Sequence, residues 1–539
     1  MNKNIKSGIT FGLIGGLLTF LFGGWSVTVL GGMLGLGLGL SLGGRFERKD
    51  PLQIARDSFM PALVAAVVLV GLSLIQNIFI LPALGKARLF DSQVLIANTI
   101  GFLVTLLLTI ITTAIHGLPK RQEEIAKFAI LALVIIFFPF IDKATGLRWS
   151  AQVIFALIFV ILGLGLNIVV GYAGLLDLGY AAFFAIGAYT TGILSSPQHN
   201  IYMNFWLVIW IAAGIAALWG LILGAPTLPL RGDYLAIVTL GFGEMIPVIF
   251  KNLTEVTIKE PLTCWILPGI TNLFGAKSTL ACIKFLERQD LTAGEKGISP
   301  IGRPSLPFIG EFQSDNPIPW YFLIIVIILL SIFIIRRLRE SRLGRAWMAI
   351  REDELAASQM GIDPVRTKLA AFAMGATFSG FAGAFYAAYI RGIFPSVFDF
   401  SASIIILVIV ILGGLGNING VIVGGLVIMT ADRLFLPALK DFLASLLTNT
   451  ILPSLAGNPV LQAAVKDNAN PILYRFLLFG LTLVIMMAVR PEGLIPSTQR
   501  RMELHAAEEI AGPVVPEETA KSKTTMAVAG KTKAVAKKR

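Results

Sequence analysis

Residues 150–171 read SAQVIFALIFVILGLGLNIVVG. The run carries no charge, and its apolar residues do not alternate with polar ones as they would along a barrel strand. As a helix it is long enough to cross bilayer hydrocarbon, about 30 Å thick. Lipid offers the backbone no hydrogen-bond partners, so each N–H and C=O must be bonded within the chain, as a helix does. The rest of the chain has the same character: of 539 residues, 55% are hydrophobic and 14% charged, with a mean hydropathy of +0.79. Soluble domains carry about a quarter charged residues, so this chain has too little polar surface to cover a water-soluble globule. The expected fold is all-α, a polytopic transmembrane helical bundle with broken or re-entrant helices.

Outward from that run, apolar stretches mark about fourteen spans in all. Residues 8–44, dense in Gly, supply two short ones turning at Gly23-Gly24. Others are expected at 61–81, 95–116, 127–141, 178–196, 204–228, 234–251, 319–335, 369–390, 402–415, 418–434 and 472–489. The short pieces 127–141, 402–415 and 418–434 are candidates for broken or re-entrant helices. Lys3 and Lys6 precede the first apolar stretch without a small-residue cleavage site after it, so an uncleaved first span is expected.

Basic residues orient the spans. With the N-terminus inside, Arg45, Arg48, Lys49, Arg56, Lys120 and Arg121 fall inside. So do Arg336, Arg337, Arg339, Arg342 and Arg345, and finally Arg490, Arg500 and Arg501. Residues 252–318 then form an outside loop holding the only two cysteines, Cys264 and Cys282. On an oxidising face a disulfide and two unrelated thiols are both open readings. The chain divides into an N-terminal membrane extension of four or five spans (1–149), a core (150–496) and a polar, disordered cytoplasmic tail (497–539). Inside loops and tail account for the net charge of +12. No basic patch is interleaved with aromatic residues as nucleic-acid binding needs.

Four segments invite a functional reading. Residues 336–368, RRLRESRLGRAWMAIREDELAASQMGIDPVRTK, form the longest inside stretch between two core spans. A short helix is expected from Ala346 to Met360, ended by Gly361 and Pro364. It is either a solvated loop or a lever against a motor underneath. In Gly163–Leu194, small residues recur at Gly163, Gly165, Gly171, Gly174, Gly179, Gly187 and Gly192, which permits close helix approach or a break within a span. Leu230–Ile246 places Glu244 inside an apolar span, where a carboxylate must be bonded or face a watery cavity. Ile411–Gly425, ILGGLGNINGVIVGG, is a Gly-rich break with Asn417 and Asn419 at membrane depth.

These segments resemble one family. GRAWMAIREDELAASQMGIDPVRTKLAAF is similar to the cytoplasmic coupling loop of LivM-type permeases, the branched-chain (hydrophobic) amino acid permeases of ATP-binding-cassette importers. The Glu-Ala-Ala-x-x-x-Gly signature of such loops is matched by Ala356, Ala357 and Gly361, with Glu354 one position early and Leu355 in the place of the acid. Gly163–Leu194 resembles the first core hairpin, particularly Asn167 to Gly174 and Ala181 to Tyr189, although Asp177 stands where the family carries an uncharged polar residue. Thr239 to Glu244, the Gly-rich 411–425 segment and the closing Val489-Arg490-Pro491-Glu492-Gly493-Leu494 also resemble the family, whereas residues 1–149 carry no motif of it.

The resemblance implies a bacterial inner-membrane permease with both termini cytoplasmic, importing branched-chain or other neutral amino acids. It implies a second related permease subunit, two cytoplasmic ATPase subunits, an extracytoplasmic solute-binding protein and surrounding membrane lipid. Gly344, Arg345, Glu354, Ala356, Ala357 and Gly361 would form the ATPase-coupling loop, and Asn167, Gly171, Tyr172, Gly174, Glu244 and Asn417 the translocation pathway. Permeases for urea and short-chain amides share the family pattern.

A standalone ion-coupled transporter is the alternative from another class, with Asp177, Glu244, Asp399, Asp432 and Arg433 as candidate ionisable groups. Gly275-Ala276-Lys277-Ser278-Thr279 has the wrong spacing for a phosphate loop, and the spacing of Gly35, Gly37 and Gly39 is wrong for a dinucleotide fingerprint. With His116, His199 and His505 far apart and no nucleophile beside a base, neither a metal site nor a cofactor is expected. The chain is not expected to be an enzyme, and ATP hydrolysis falls to other polypeptides.

Overall fold

The computed structural model describes residues 3–22, 25–44, 50–80, 92–199, 203–227, 233–254, 290–307, 310–448, 470–490 and 492–495. The Gly23-Gly24 turn, Cys264 and Cys282, residues 275–279 and the tail from 497 lie outside the described residues.

Among the described residues the fold is all-α apart from one small antiparallel hairpin, Ser305–Leu306 with Gly310–Glu311. Twelve of the described helices are long and apolar enough to cross a membrane. The first four helices are α1 (Lys3–Phe22), α2 (Ser26–Gly43), α3 (Pro51–Ile75, continuing as a π turn to Ile80) and α4 (Ser92–Ile115). They pack mainly on one another around Leu38, Leu42 and Ala65, a core separate from that of the rest. Gly31, Gly35 and Gly39 recur every fourth residue on α2 and let it close onto Thr105, Thr109 and Thr112 of α4. The threonine hydroxyls bond carbonyls of their own helix, Thr105 to Gly101 and Thr109 to Thr105, each at 2.7 Å. These hydroxyls are thereby satisfied at membrane depth.

Helix α5 (Lys120–Thr145) corrects one expectation. The piece foreseen as a short run at 127–141 is a complete helix with Pro139 inside it. Gly146, in the left-handed region, ends it, and Asp142 folds back to accept from the backbone N–H of Trp149 at 2.9 Å and Ser150 at 2.8 Å. Those donors open α6 (Trp149–Leu166), so one carboxylate fixes the turn between α5 and α6 and satisfies exposed helix-start donors.

The second core is built around α6, which continues as a π segment, Asn167–Tyr172. The chain then leaves helix over 173–180, so α7 (Ala181–Ser195) is shorter than the span foreseen at 178–196. Around this pair stand α8 (Phe205–Thr227), α9 (Asp233–Asn252) and α10 (Pro317–Glu340). Two short helices follow, α11 (Arg342–Glu352) and α12 (Glu354–Gln359), and then the long α13 (Pro364–Ile390). Asp353 is extended, and its carboxylate accepts from the N–H groups of Leu355 and Ala356 at 2.8 and 3.0 Å. Such an N-cap starts a new helix, which is why the single helix expected over 346–360 is two. The set closes with α14 (Phe400–Gly413), entered through a 3-10 turn at Pro395–Phe398, and α15 (Ile418–Thr430). A π segment, Ala431–Phe435, joins α15 to α16 (Leu436–Leu446), and α17 (Arg475–Val489) is the last described helix. The run foreseen as ending at 434 thus extends to Leu446.

Candidate coupling and gating site

Helix α11 is amphipathic. Gly344, Trp347 and Ile350 recur every third residue on its buried face, as the helical period requires. Gly344 lies against the carbonyls of Leu338 and Arg339, with no room for a Cβ. Trp347 is fully buried, and its indole Nε1 donates to the carbonyl of Thr367 at 2.8 Å, tying α11 to the first turn of α13. Arg345 points outward, its Nη1 donating to the carbonyl of Glu340 at 2.7 Å.

Beyond Asp353, Glu354 forms an ion pair of 2.6 Å with Lys368, which is only 5% exposed. An ammonium buried in α13 is held by an acid on α12. Ala357 is buried beside it while Ala356 is exposed. Helix α12 ends at Gly361, whose φ of +85° is left-handed, and Ile362 N donates back to the Ala357 carbonyl at 3.1 Å. This is a Schellman ending, which favours glycine at that position. Asp363 then caps α13, accepting from Val365 and Arg366, with Pro364 in the first turn. Leu355, Met360 and Val365 are 68%, 84% and 50% exposed, so the outer face of this elbow presents apolar side chains among charged ones such as Asp353 and Arg366.

The elbow reaches the break after α6. Arg351 Nη1 donates to the Gly171 carbonyl at 2.6 Å. Gly174, at φ +70°, leaves its Cβ side to the stem of the same arginine. The guanidinium of Arg339 lies 5.9 Å from the ring centre of Tyr172. A π segment frees carbonyls from the regular helix ladder, and Arg351 takes one of them.

Asn167 is fully buried. Its Oδ1 accepts from Gly416 N at 2.9 Å, and Gly171 packs against the same contact. Asn417 caps α15 by accepting from Asn419 N at 3.0 Å, and its Nδ2 donates to the Ile495 carbonyl at 3.0 Å. Leu494 N and Ile495 N bond the carbonyls of Leu412 and Gly413 at 2.8 and 3.1 Å, which straps residues 494–495 across the Gly-rich turn. Asn167, Gly171, Tyr172, Gly174 and Asn417 therefore converge, together with the elbow, at one end of the bundle.

Glu244 does not join them. Its Oε1 accepts from Phe400 N at 3.1 Å, at the opposite end of α14, roughly 20 Å away by helix rise. There it meets the positive end of a helix. Sequence reasoning missed Arg351, Trp347, Asp353 and Lys368. Lys368 carried a legible signal, being a cation just inside the start of an apolar helix.

A family model described as "Branched-chain amino acid transport system / permease component" matches residues 148–486. The chain belongs to that family. The match opens at Arg148, in the turn that Asp142 fixes, so α1–α5 precede it. This permease is 38% identical over 350 residues to the high-affinity branched-chain amino acid transport system permease protein LivM of Escherichia coli K12, covering 65% of this chain and 70% of that protein. It is 35% identical over 402 residues to LivM of Salmonella typhimurium, covering 74% of this chain and 80% of the relative. The permease protein LivH of Salmonella typhimurium is 33% identical over 127 residues, covering 24% of this chain and 40% of its own. No solved structure matches.

Proposed function

We propose that this multi-pass membrane protein is one permease half of a bacterial inner-membrane importer. Its cargo is branched-chain or other neutral amino acids, and separate ATP-binding-cassette subunits energise it. Relatives bearing two names, LivM and LivH, support a second permease of related sequence as partner. Both termini lie in the cytoplasm. Residues 150–496 form the translocating core, with 252–318 facing an extracytoplasmic binding protein. Two ATPase subunits hydrolyse ATP beneath the pair, and one seats on the elbow α11–α12. The exposed apolar side chains of Leu355, Met360 and Val365 suit such a seat.

The observation that carries the mechanism is the Arg351–Gly171 bond. A push on α11–α12 is delivered through Arg351 to the break after α6 and through Glu354–Lys368 to the base of α13. ATP binding would thereby bias the bundle between outward and inward access, with substrate held by different affinity in each state. The test of cargo is uptake of labelled leucine and labelled urea by cells lacking, then regaining, this gene. Leucine uptake should return with it. Restored urea uptake without leucine uptake would overturn the amino-acid assignment.

A further inference from the structure

The break between α6 and α7 holds a carboxyl that takes no part in the coupling geometry. Asp177 is 2% exposed. Its Oδ1 accepts from Gly179 N at 2.9 Å, while its Oδ2 is buried without a hydrogen-bond partner. The residue opens onto a cavity walled by Phe183 of α7, Leu223 of α8, Phe242 of α9 and Phe372 of α13. The space there is only about 10 Å³, no more than one water needs.

Helix α9 forms one wall of it. Leu178 N donates to Thr239 Oγ1 at 3.1 Å, and Gly179 lies against the Thr239 carbonyl and Gly243 with no room for a Cβ. On its outer side α9 exposes Tyr234, Ile237, Met245 and Val248, so it is held to the bundle along one face.

A buried carboxylate among mostly apolar side chains is strongly disfavoured unless a positive group meets it. The α-ammonium of an amino acid supplies that group through a charge-assisted hydrogen bond, and the walls of phenylalanine and leucine suit an aliphatic side chain. We infer that Asp177 is an internal site for the α-ammonium group of a neutral, apolar amino acid, opened when α9 lifts from Gly179. The inference rests on the amino-acid cargo proposed above.

The complete transporter, with partner permease, ATPases and binding protein, is reconstituted in liposomes and its uptake of labelled leucine measured. Asp177→Asn keeps the acceptor for Gly179 N but removes the charge, and should lower uptake about tenfold or more. Asp177→Glu should recover part of it. A second measurement needs no variant to assemble: modification of Asp177 by a hydrophobic carbodiimide in the purified wild-type complex, followed by mass spectrometry. Leucine should slow modification, whereas 4-methylpentanoate, the same skeleton without the ammonium, should not. Uptake by an assembled Asp177→Asn complex within about twofold of wild type would overturn the site. So would equal protection by the two compounds, or protection by neither, which is the pattern of a carboxyl that holds only a proton. A wild-type complex that moves no leucine would sink the amino-acid cargo and this site together. Leucine uptake indifferent to Asp177 would sink the site alone.

Discussion

Arg351 on α11 and Gly171 in the π segment after α6 lie 180 residues apart in sequence and are joined by a 2.6 Å hydrogen bond from guanidinium to carbonyl. The bond connects an exposed elbow to the interior of the bundle. Around it, Arg339 faces Tyr172 and Gly174 makes room for the arginine stem. Removing the guanidinium leaves a buried carbonyl released by the π segment without its partner.

Arg351→Ala should therefore reduce leucine uptake more than it reduces assembly. A hydrogen bond to a charged group contributes about 1.5–3 kcal/mol, so the loss of uptake should be roughly ten- to hundredfold. Uptake assays beside co-purification with the ATPases check this. Arg351→Lys should rescue little, because the compact ammonium lacks the reach and fork of guanidinium.

The Glu354–Lys368 pair predicts an asymmetry. Lys368 is 5% exposed, whereas the Glu354 side chain is 32% exposed. Glu354→Gln leaves a buried ammonium alone, at a cost of up to about 3–5 kcal/mol. Lys368→Met leaves a carboxylate that turns toward water, and should cost less. The double variant should be more stable than Glu354→Gln alone. Thermal unfolding of the purified protein in detergent orders the three.

At Gly361 the demand is conformational, since no atom lies within 4 Å of where a Cβ would sit. Gly361→Asn should fold normally, because Asn tolerates the left-handed region, while Gly361→Val should lose about 1–2 kcal/mol or more. If the ATPase seats here, even the well-folded Asn variant should weaken co-purification of the ATPase, because its side chain stands in the seat.

The α1–α4 bundle has its own core. Gly35→Leu should separate α2 from α4, since a Cβ there would already lie 2.8 Å from the Thr105 carbonyl. Limited proteolysis should then cut within 1–120 first and leave a fragment spanning 148–486.

The transmembrane class and most spans were legible in the sequence because lipid leaves an apolar run one solution, hydrogen bonding within itself. Helix α5 was drawn too short because Lys120, Arg121, Glu123 and Glu124 look like loop, yet they sit in its first turns. The split at Asp353 was overlooked, although an acid just before Glu-Leu-Ala-Ala is a capping signal. The bond by which Asn167 joins two breaks through Gly416 N was not legible. A partner 249 residues distant leaves no trace in local sequence.

The elbow's role as a handle is tested most directly at Met360, 84% exposed. Cys264 and Cys282 are first replaced by serine, and Met360→Cys is then exposed to a membrane-impermeant maleimide in right-side-out and inside-out vesicles. Labelling in inside-out vesicles alone, blocked when the ATPase subunits are bound, is the predicted result. Labelling from the outside, or labelling that bound ATPase leaves unchanged, would contradict it.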